Sequence, residues 1–250
     1  MVKQFIKNIT RKSLNFLHLD ITKNLRYDRQ TKECIARIVQ RDSVCIDVGC
    51  HKGEIFDLFI RSAPNISHYG FEPIPNLYND LIKKYCNQNI FSFALSDSNG
   101  VSTFQWVKNA AAYSGIKQRQ YAIKNPIIEE IKVELRMLDD LIPETENIRL
   151  IKIDVEGAEL SVLKGAKKIL QRCKPFIIFE CGQGASDFYG TRPENVFDFL
   201  NNDVGLKISL LQSWLIGQKP LSEKEFVEIY ETNREYYFIA HLWQDAISAR

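Results

Sequence analysis

The chain has 250 residues, 45% of them hydrophobic and 26% charged, with 12 glycines and 8 prolines. That length suggests one large domain or two small ones and is enough to bury a full core without disulfides or a metal. The composition excludes a disordered, collagen-like or coiled-coil chain, and a net charge of +2 is too small to argue for a nucleic-acid partner.

Charge is unevenly placed. Residues 1–41 hold ten Lys and Arg against Asp20, Asp28 and Glu33, a balance of +7 that leaves −5 for the remainder. Phe5, Ile9, Phe16 and Leu17 are spaced as one helical face. A basic helical extension (1–41) ahead of a single domain (42–250) is therefore expected. Such stripes usually pack on a core, and the alternative is peripheral contact with an anionic membrane. No apolar run approaches the roughly 18 residues of a membrane span. The opening MVKQFIKNITRKSLNFLHLD lacks the apolar core and cleavage site of a secretory signal. A cytoplasmic protein is the expectation. The six cysteines, none in a C-x-x-C pair, fit reduced thiols in such a compartment. The four histidines show no zinc-type spacing.

From residue 43 short apolar runs alternate with helical stretches. SVCIDVG (43–49), HYGFEP (68–73) and NIFSFALS (89–96) read as buried strands, with helices over 54–62 and 76–85. Apolar strands joined by helices predict a parallel sheet covered on both faces. The alternation breaks over 97–138. Turn residues at 97–100 precede VSTFQWV (101–107), and IKVELRML (131–138) follows a small, polar and basic stretch. We expect a β-rich insertion with a mobile loop, of which 113–124 is suited to close over an acceptor. The pattern then resumes with strands LIKIDVE (150–156), PFIIFEC (175–181), LKISLLQ (206–212) and YYFIAH (236–241), and helices over 158–171 and 193–201.

Open α/β sheets bind ligands at the carboxyl ends of their strands. The first strand runs into Asp47-Val48-Gly49-Cys50-His51-Lys52-Gly53. Gly49 permits a tight turn, and Gly53 permits close passage beneath a ligand at the helix start. The second strand ends at Glu72, 19 residues after Gly53, and is stopped by Pro73. An acid there typically accepts hydrogen bonds from ribose hydroxyls. The dinucleotide fingerprint needs a glycine where His51 stands. A ligand with one ribose, no phosphate and an amino-acid tail suits the loop better, which favours S-adenosylmethionine over a nicotinamide dinucleotide. The competing readings are a nicotinamide-dependent oxidoreductase and a non-catalytic cofactor-binding scaffold.

IDVGCHKGE, GFEPIPN, ALSDSNG, LDDL, IKIDVEGAELSVLKGA and FIIFECG occur in this order, an arrangement that resembles the FkbM-type S-adenosylmethionine-dependent methyltransferases over about residues 43–200. The resemblance implies a Rossmann-like class I methyltransferase fold of seven strands, the last antiparallel and inserted beside the fifth. It also implies O-methylation, often of sugars or polyketide-like hydroxyls. On its motifs Asp47, Gly49 and Gly53 fall in the cofactor loop with Val48, Cys50 and His51. Glu72 is the ribose acid, Ala94, Leu95 and Ser96 pass the adenine, and Asp154 and Glu156 follow the fourth strand. The family loop often reads G-A-N-x-G, so His51 departs from it.

Methyl transfer to an alcohol needs alignment of the acceptor oxygen and loss of its proton. Asp154 is expected to touch the cofactor or order its loop. Glu156 and Glu180 are the base candidates, the alternative for Glu156 being a cap on the helix that starts near Ala158. Asp154, Glu156 and Glu180 could together hold Mg²⁺, but three acids are few for that ion and no metal is favoured. Cleft contacts are also expected from 233–236, at the start of the last strand. His241, at its far end, is not expected in the cleft. The expected partner is a small-molecule or glycan acceptor.

Overall fold

The computed structural model describes residues 22–119, 121 and 123–243. The apolar face read at Phe5, Ile9, Phe16 and Leu17 lies outside them. A seven-stranded sheet is formed by β1 (Val44–Val48), β2 (Tyr69–Phe71), β3 (Asn89–Phe91), β7 (Ile148–Ile153), β8 (Phe176–Glu180), β9 (Lys207–Leu210) and β10 (Tyr237–His241). Their order is β3-β2-β1-β7-β8-β10-β9. Only β10 runs antiparallel, between β8 and β9. This is the doubly wound architecture expected, with the order reversing between β1 and β7.

The third apolar run divides. Asn89–Phe91 stays in the main sheet, but β4 (Ala94–Leu95) leaves it and pairs with β6 (Ile128–Arg136), which also forms a hairpin with β5 (Gly100–Val107). The continuous strand expected over 89–96 is thus two strands in two sheets. The small sheet buries Ala94, Phe104 and Val133 against Ile74 and stands over the carboxyl end of the main one.

Two helical layers cover the main sheet, and strand alternation sorts the side chains between them. Ile46, Ile151, Ile153, Phe179 and Phe238 face one layer. It comprises α4 (Glu159–Gly165), α5 (Lys167–Cys173), α6 (Pro193–Asp198) with its π-helical continuation Phe199–Val204, and α8 (Glu223–Glu231). The helix expected over 158–171 is broken at Ala166, where the backbone leaves helical geometry (φ −112°, ψ 9°). A capping box between Ser222 and Glu225 starts α8, which lay beyond the elements expected from periodicity.

Cys45, Leu150, Phe176, Ile178 and Ile239 face the other layer. This layer comprises α1 (Lys23–Ile38), α2 (Phe56–Ser62), α3 (Pro75–Lys84) and α7 (Leu211–Leu215). Thr22 caps α1 by accepting the Leu25 amide. Cys34, Ile35 and Ile38 from its second half are at most 1% exposed, within this core. Its first half is clamped to the chain before β10. Lys23 donates to the carbonyls of Asn233 and Arg234, and Arg26 pairs with Glu235 at 2.6 Å. α1 therefore lies along the sheet, its C-terminal half over apolar residues and its N-terminal half over the carboxyl ends of the strands.

Candidate active site

The carboxyl ends of β1, β2, β7 and β8 open into a cleft of about 710 Å³. Its wall includes Asp47, Val48, Gly49, Cys50, His51, Glu72, Pro73, Ala94, Leu95, Asp154, Glu156 and Glu180. Two of the residues expected there do not line it. Gly53 turns at φ +76° with its missing side chain directed at Tyr85; a Cβ would stand 2.4 Å from that hydroxyl. The turn packs on Tyr85, which donates to the Gly53 carbonyl. Ser96 bonds its amide to the Arg136 carbonyl and lines a smaller neighbouring pocket beside α4. It is held by the small sheet that removed β4 from the main one.

The loop after β1 is shaped by its neighbours. Gly49 adopts φ +83°, and a Cβ there would lie 2.1 Å from the Asp154 carbonyl oxygen. The glycine is needed because the chain passes over the end of β7. Glu72 is 4% exposed. One of its oxygens accepts the His51 amide (2.8 Å) and the other the Ile74 amide (2.9 Å), so each keeps a lone pair for a ligand. Burial outweighs these bonds and pushes its carboxyl up to about 7.

Beside it stands an ionic group centred on Lys152, a residue not among those expected in the site. Lys152 is the register partner of Asp47, on the neighbouring strand and the same face. Its ammonium lies 2.6 Å from Asp154, which also accepts the Tyr237 hydroxyl at 2.6 Å. Burial raises the Asp154 carboxyl, but Lys152 and the bonds from Lys152 and Tyr237 outweigh it and hold the group below its usual value. Glu180, paired in register with Tyr237, stands beside Asp154, one residue past the Ile153–Phe179 pair of β7 and β8. Burial, then the charges of Asp154 and Glu159, push it well above the carboxylate range. Asp47 is 1% exposed, and neither carboxyl oxygen has a well-formed hydrogen bond. Burial pushes it up to about 7.

A buried acid raised in this way costs the protein stability once it ionises. The native state holds the Asp47 proton where the unfolded chain has lost it, so stability falls as pH rises from about 4 to about 7. Asp47→Asn is therefore expected to melt close to wild type at pH 4 and progressively above it towards pH 8, by differential scanning calorimetry. A melting difference that stays constant across this window would refute the assignment.

Glu156 has a different setting. It sits at φ +59° and forms an ion pair with Arg119, whose guanidinium lies 5.5 Å over the Tyr113 ring. It does not cap α4. Glu159 fills that place, accepting the amides of Val155 and Gly157 at 3.1 Å each. The loop carrying Arg119 is tied down by a bridge between Gly115 and Gln105 and by the Lys117 amide to the Tyr189 hydroxyl. The far wall of the cleft takes Asn24, Tyr27, Asp28 and Thr31 from α1, with Asn233, Tyr236 and Tyr237. Of the span 233–236 anticipated here, Asn233 and Tyr236 line the cleft and Arg234 and Glu235 do not, while Tyr237 and the α1 residues were not anticipated. His241 is buried at the opposite end of β10 against Ser209. Among the described residues no three or more His, Cys, Asp or Glu side chains are grouped to hold a metal ion, and no helix is long and apolar enough to cross a membrane.

Comparison with known proteins gives this geometry a family. The chain is 29% identical over 177 residues to the 2-O-methyltransferase NoeI of Sinorhizobium fredii, covering 61% of this chain and 68% of that one. It is 28% identical over 146 residues to Methyltransferase 1 of Beauveria bassiana, covering 50% of this chain and 58% of the relative. The structure of methyltransferase FkbM from Methylobacillus flagellatus superposes with a TM-score of 0.50 at 14% identity, over 81% of this chain but 44% of that one. That likeness speaks for the fold alone, and the chain spans between less than half and about two thirds of these three proteins. The model of the methyltransferase FkbM domain matches residues 47–207, from the end of β1, through the carboxyl ends of β2, β7 and β8, to the first residue of β9. The chain belongs to the FkbM methyltransferase domain family.

Proposed function

We propose that the domain moves the methyl group of S-adenosylmethionine to a hydroxyl oxygen of a sugar or similar small polyol. The observation that carries this reading is the continuity of the cleft from Glu72 to Glu180. A buried acid with free lone pairs stands at one end. At the other, a carboxyl group stands among amide and tyrosine side chains. The residues present suit the cofactor. Glu72 would accept from ribose hydroxyls, the poorly partnered oxygens of Asp47 from cationic or N–H groups, and Ala94, Leu95, Ile74 and Phe93 would border a flat base. When bound, the cofactor supplies a methyl group on a positively charged sulfur.

The remaining work falls to the chain. Asn24, Asp28, Gln183, Asn233 and Tyr236 line the wall next to Glu180. Planar polar groups beside aromatic rings suit a polyhydroxylated acceptor, whose hydroxyls need donors and acceptors once out of water. The wall carries Asp28, Asp47, Glu54, Glu72, Asp154, Glu156 and Glu180 against Lys52, Arg119 and Lys152, an excess of acids that favours an uncharged acceptor over a phosphorylated one. Glu180 is the proposed general base. Glu156, engaged with Arg119, holds the loop over the cleft. The likeness to a 2-O-methyltransferase supports oxygen as the target.

The test begins with binding. Calorimetry is expected to detect S-adenosylhomocysteine and no NAD. Glu72→Ala should weaken that binding by about 1–3 kcal/mol, the cost of leaving ribose hydroxyls without a charged acceptor. Unchanged affinity in a folded variant would remove Glu72 from the site. Incubation with S-adenosylmethionine and a pool of neutral glycosides, read by mass spectrometry for new O-methyl groups, then tests the transfer.

A further inference from the structure

Asp47, Lys152, Asp154 and Glu180 place three carboxyl groups around one ammonium on a single face of the sheet. We propose that Glu180 carries a proton in the cofactor-free protein, donated in a hydrogen bond to Asp154, and that a bound sulfonium expels it to solvent. Glu180 is then anionic when the acceptor hydroxyl must lose its own proton. The inference rests on the methyl-transfer reading and adds to it the proton's timing.

The geometry selects Glu180. Fully ionised, the four groups would leave two uncompensated negative charges largely out of water, so a proton is retained. Asp154 is the poorest holder, with Lys152 and Tyr237 both bonded to it. Asp47 stands opposite Lys152 in register. Glu180 faces two further carboxyl groups, Asp154 just past β7 and Glu159 of α4. From β10 and the residue before it come Tyr237 and Tyr236, and Cys181 follows in the chain; none brings positive charge. Arg119 in the loop is committed to Glu156, and Lys152 to Asp154.

A fixed positive charge entering this cleft removes the reason for the retained proton. Glu180 releases it on binding. During transfer, Glu180 accepts the proton of the acceptor hydroxyl as the oxygen–methyl bond forms and the methyl–sulfur bond breaks, its electron pair left on sulfur. The thioether product is neutral at sulfur, and Glu180 is again protonated, as at the start. One proton leaves per cycle, at cofactor binding rather than after chemistry.

The test compares two ligands that differ only in the methylsulfonium. S-adenosylmethionine and S-adenosylhomocysteine are titrated into the whole chain at pH 8, where Asp47 and Glu72 are largely ionised, in two buffers of different ionisation enthalpy, which counts protons. S-adenosylmethionine is expected to release about one proton more than S-adenosylhomocysteine, and the ratio of their affinities to climb up to about tenfold per pH unit while Glu180 titrates. Glu180→Gln should bind both ligands with equal counts, and Asp47→Asn should keep the difference. Equal counts in wild type, or a difference that survives in Glu180→Gln and vanishes in Asp47→Asn, overturns the proposal. If Glu180→Gln does not fold, the wild-type counts, the affinity ratio and Asp47→Asn decide. Failure of both ligands to bind would instead defeat the methyl-transfer reading, and this inference with it.

Discussion

Replacing Glu180 by glutamine is expected to lower methyl transfer by about 10²–10⁴-fold, the usual cost of losing a general base. S-adenosylhomocysteine affinity should stay within a few-fold of wild type. The carboxyl stands at the end of β8 and pairs in register with Tyr237, across the cleft from Glu72. Glutamine keeps the shape and, like the protonated acid, can donate to Asp154, so melting temperature should hold or rise. With S-adenosylmethionine well below saturation the wild-type rate should climb with pH as Glu180 of the free protein ionises, and the variant should lack that limb. The measurement is S-adenosylhomocysteine formed per folded molecule with neutral glycosides as acceptors. A glutamine variant with wild-type turnover would pass the base role to another group or leave positioning alone. A large fall in melting temperature with turnover intact would make Glu180 a structural residue.

Gly49→Val should abolish detectable cofactor binding and lower the melting temperature. Valine tolerates φ near +83° poorly, and strain of this kind costs about 1–3 kcal/mol. The clash is the larger effect. A Cβ 2.1 Å from the Asp154 carbonyl must push apart the ends of β1 and β7, the strands that hold Asp47, Lys152 and Asp154 together. Tyr237 and Glu180 then lose the partner that orders them. Far-UV circular dichroism should retain most helix and sheet, because the apolar cores on both faces do not depend on this turn. Normal S-adenosylhomocysteine binding in the variant would mean that the loop is not the site. Gly49→Ala, which brings the same Cβ with no branch, should show a milder form of both effects.

Much of the cleft was readable along the chain because open parallel sheets put their ligands at strand ends. Asp47, Glu72, Asp154 and Glu180 each close an apolar run. Lys152 also had a signal. It interrupts the apolar strand LIKID, two residues after Leu150 and two before Asp154, so it shares their face. Read in this period, Cys45-Asp47, Leu150-Lys152-Asp154, Ile178-Glu180 and Tyr237-Ile239 form one face that is apolar within the sheet and polar at its carboxyl end. What that pattern lacks is a register, since only pairing between strands brings Lys152 opposite Asp47 and Tyr237 opposite Glu180.

Local chemistry along the chain settled the class of this protein. Runs of apolar residues with helical stretches between them, broken once by alternating polar strands, admit few arrangements other than a doubly wound sheet with a β-rich insertion. The glycine turn followed by an acid on the next strand marked the ligand end. Long-range packing decided the rest. Ala94 and Leu95 left the main sheet because β6 offered them a partner, and Gly53 turned to Tyr85 because α3 lies there. Asn24 and Tyr27 became a wall of the cleft because α1 has an apolar second half that must cover Cys45, Leu150 and Ile178, which carries its polar first half across the strand ends. Periodicity reports which face of an element is buried, but not what lies against it. Here the partners came from segments up to 212 residues apart, as Asn24 is from Tyr236, whose hydroxyl it accepts.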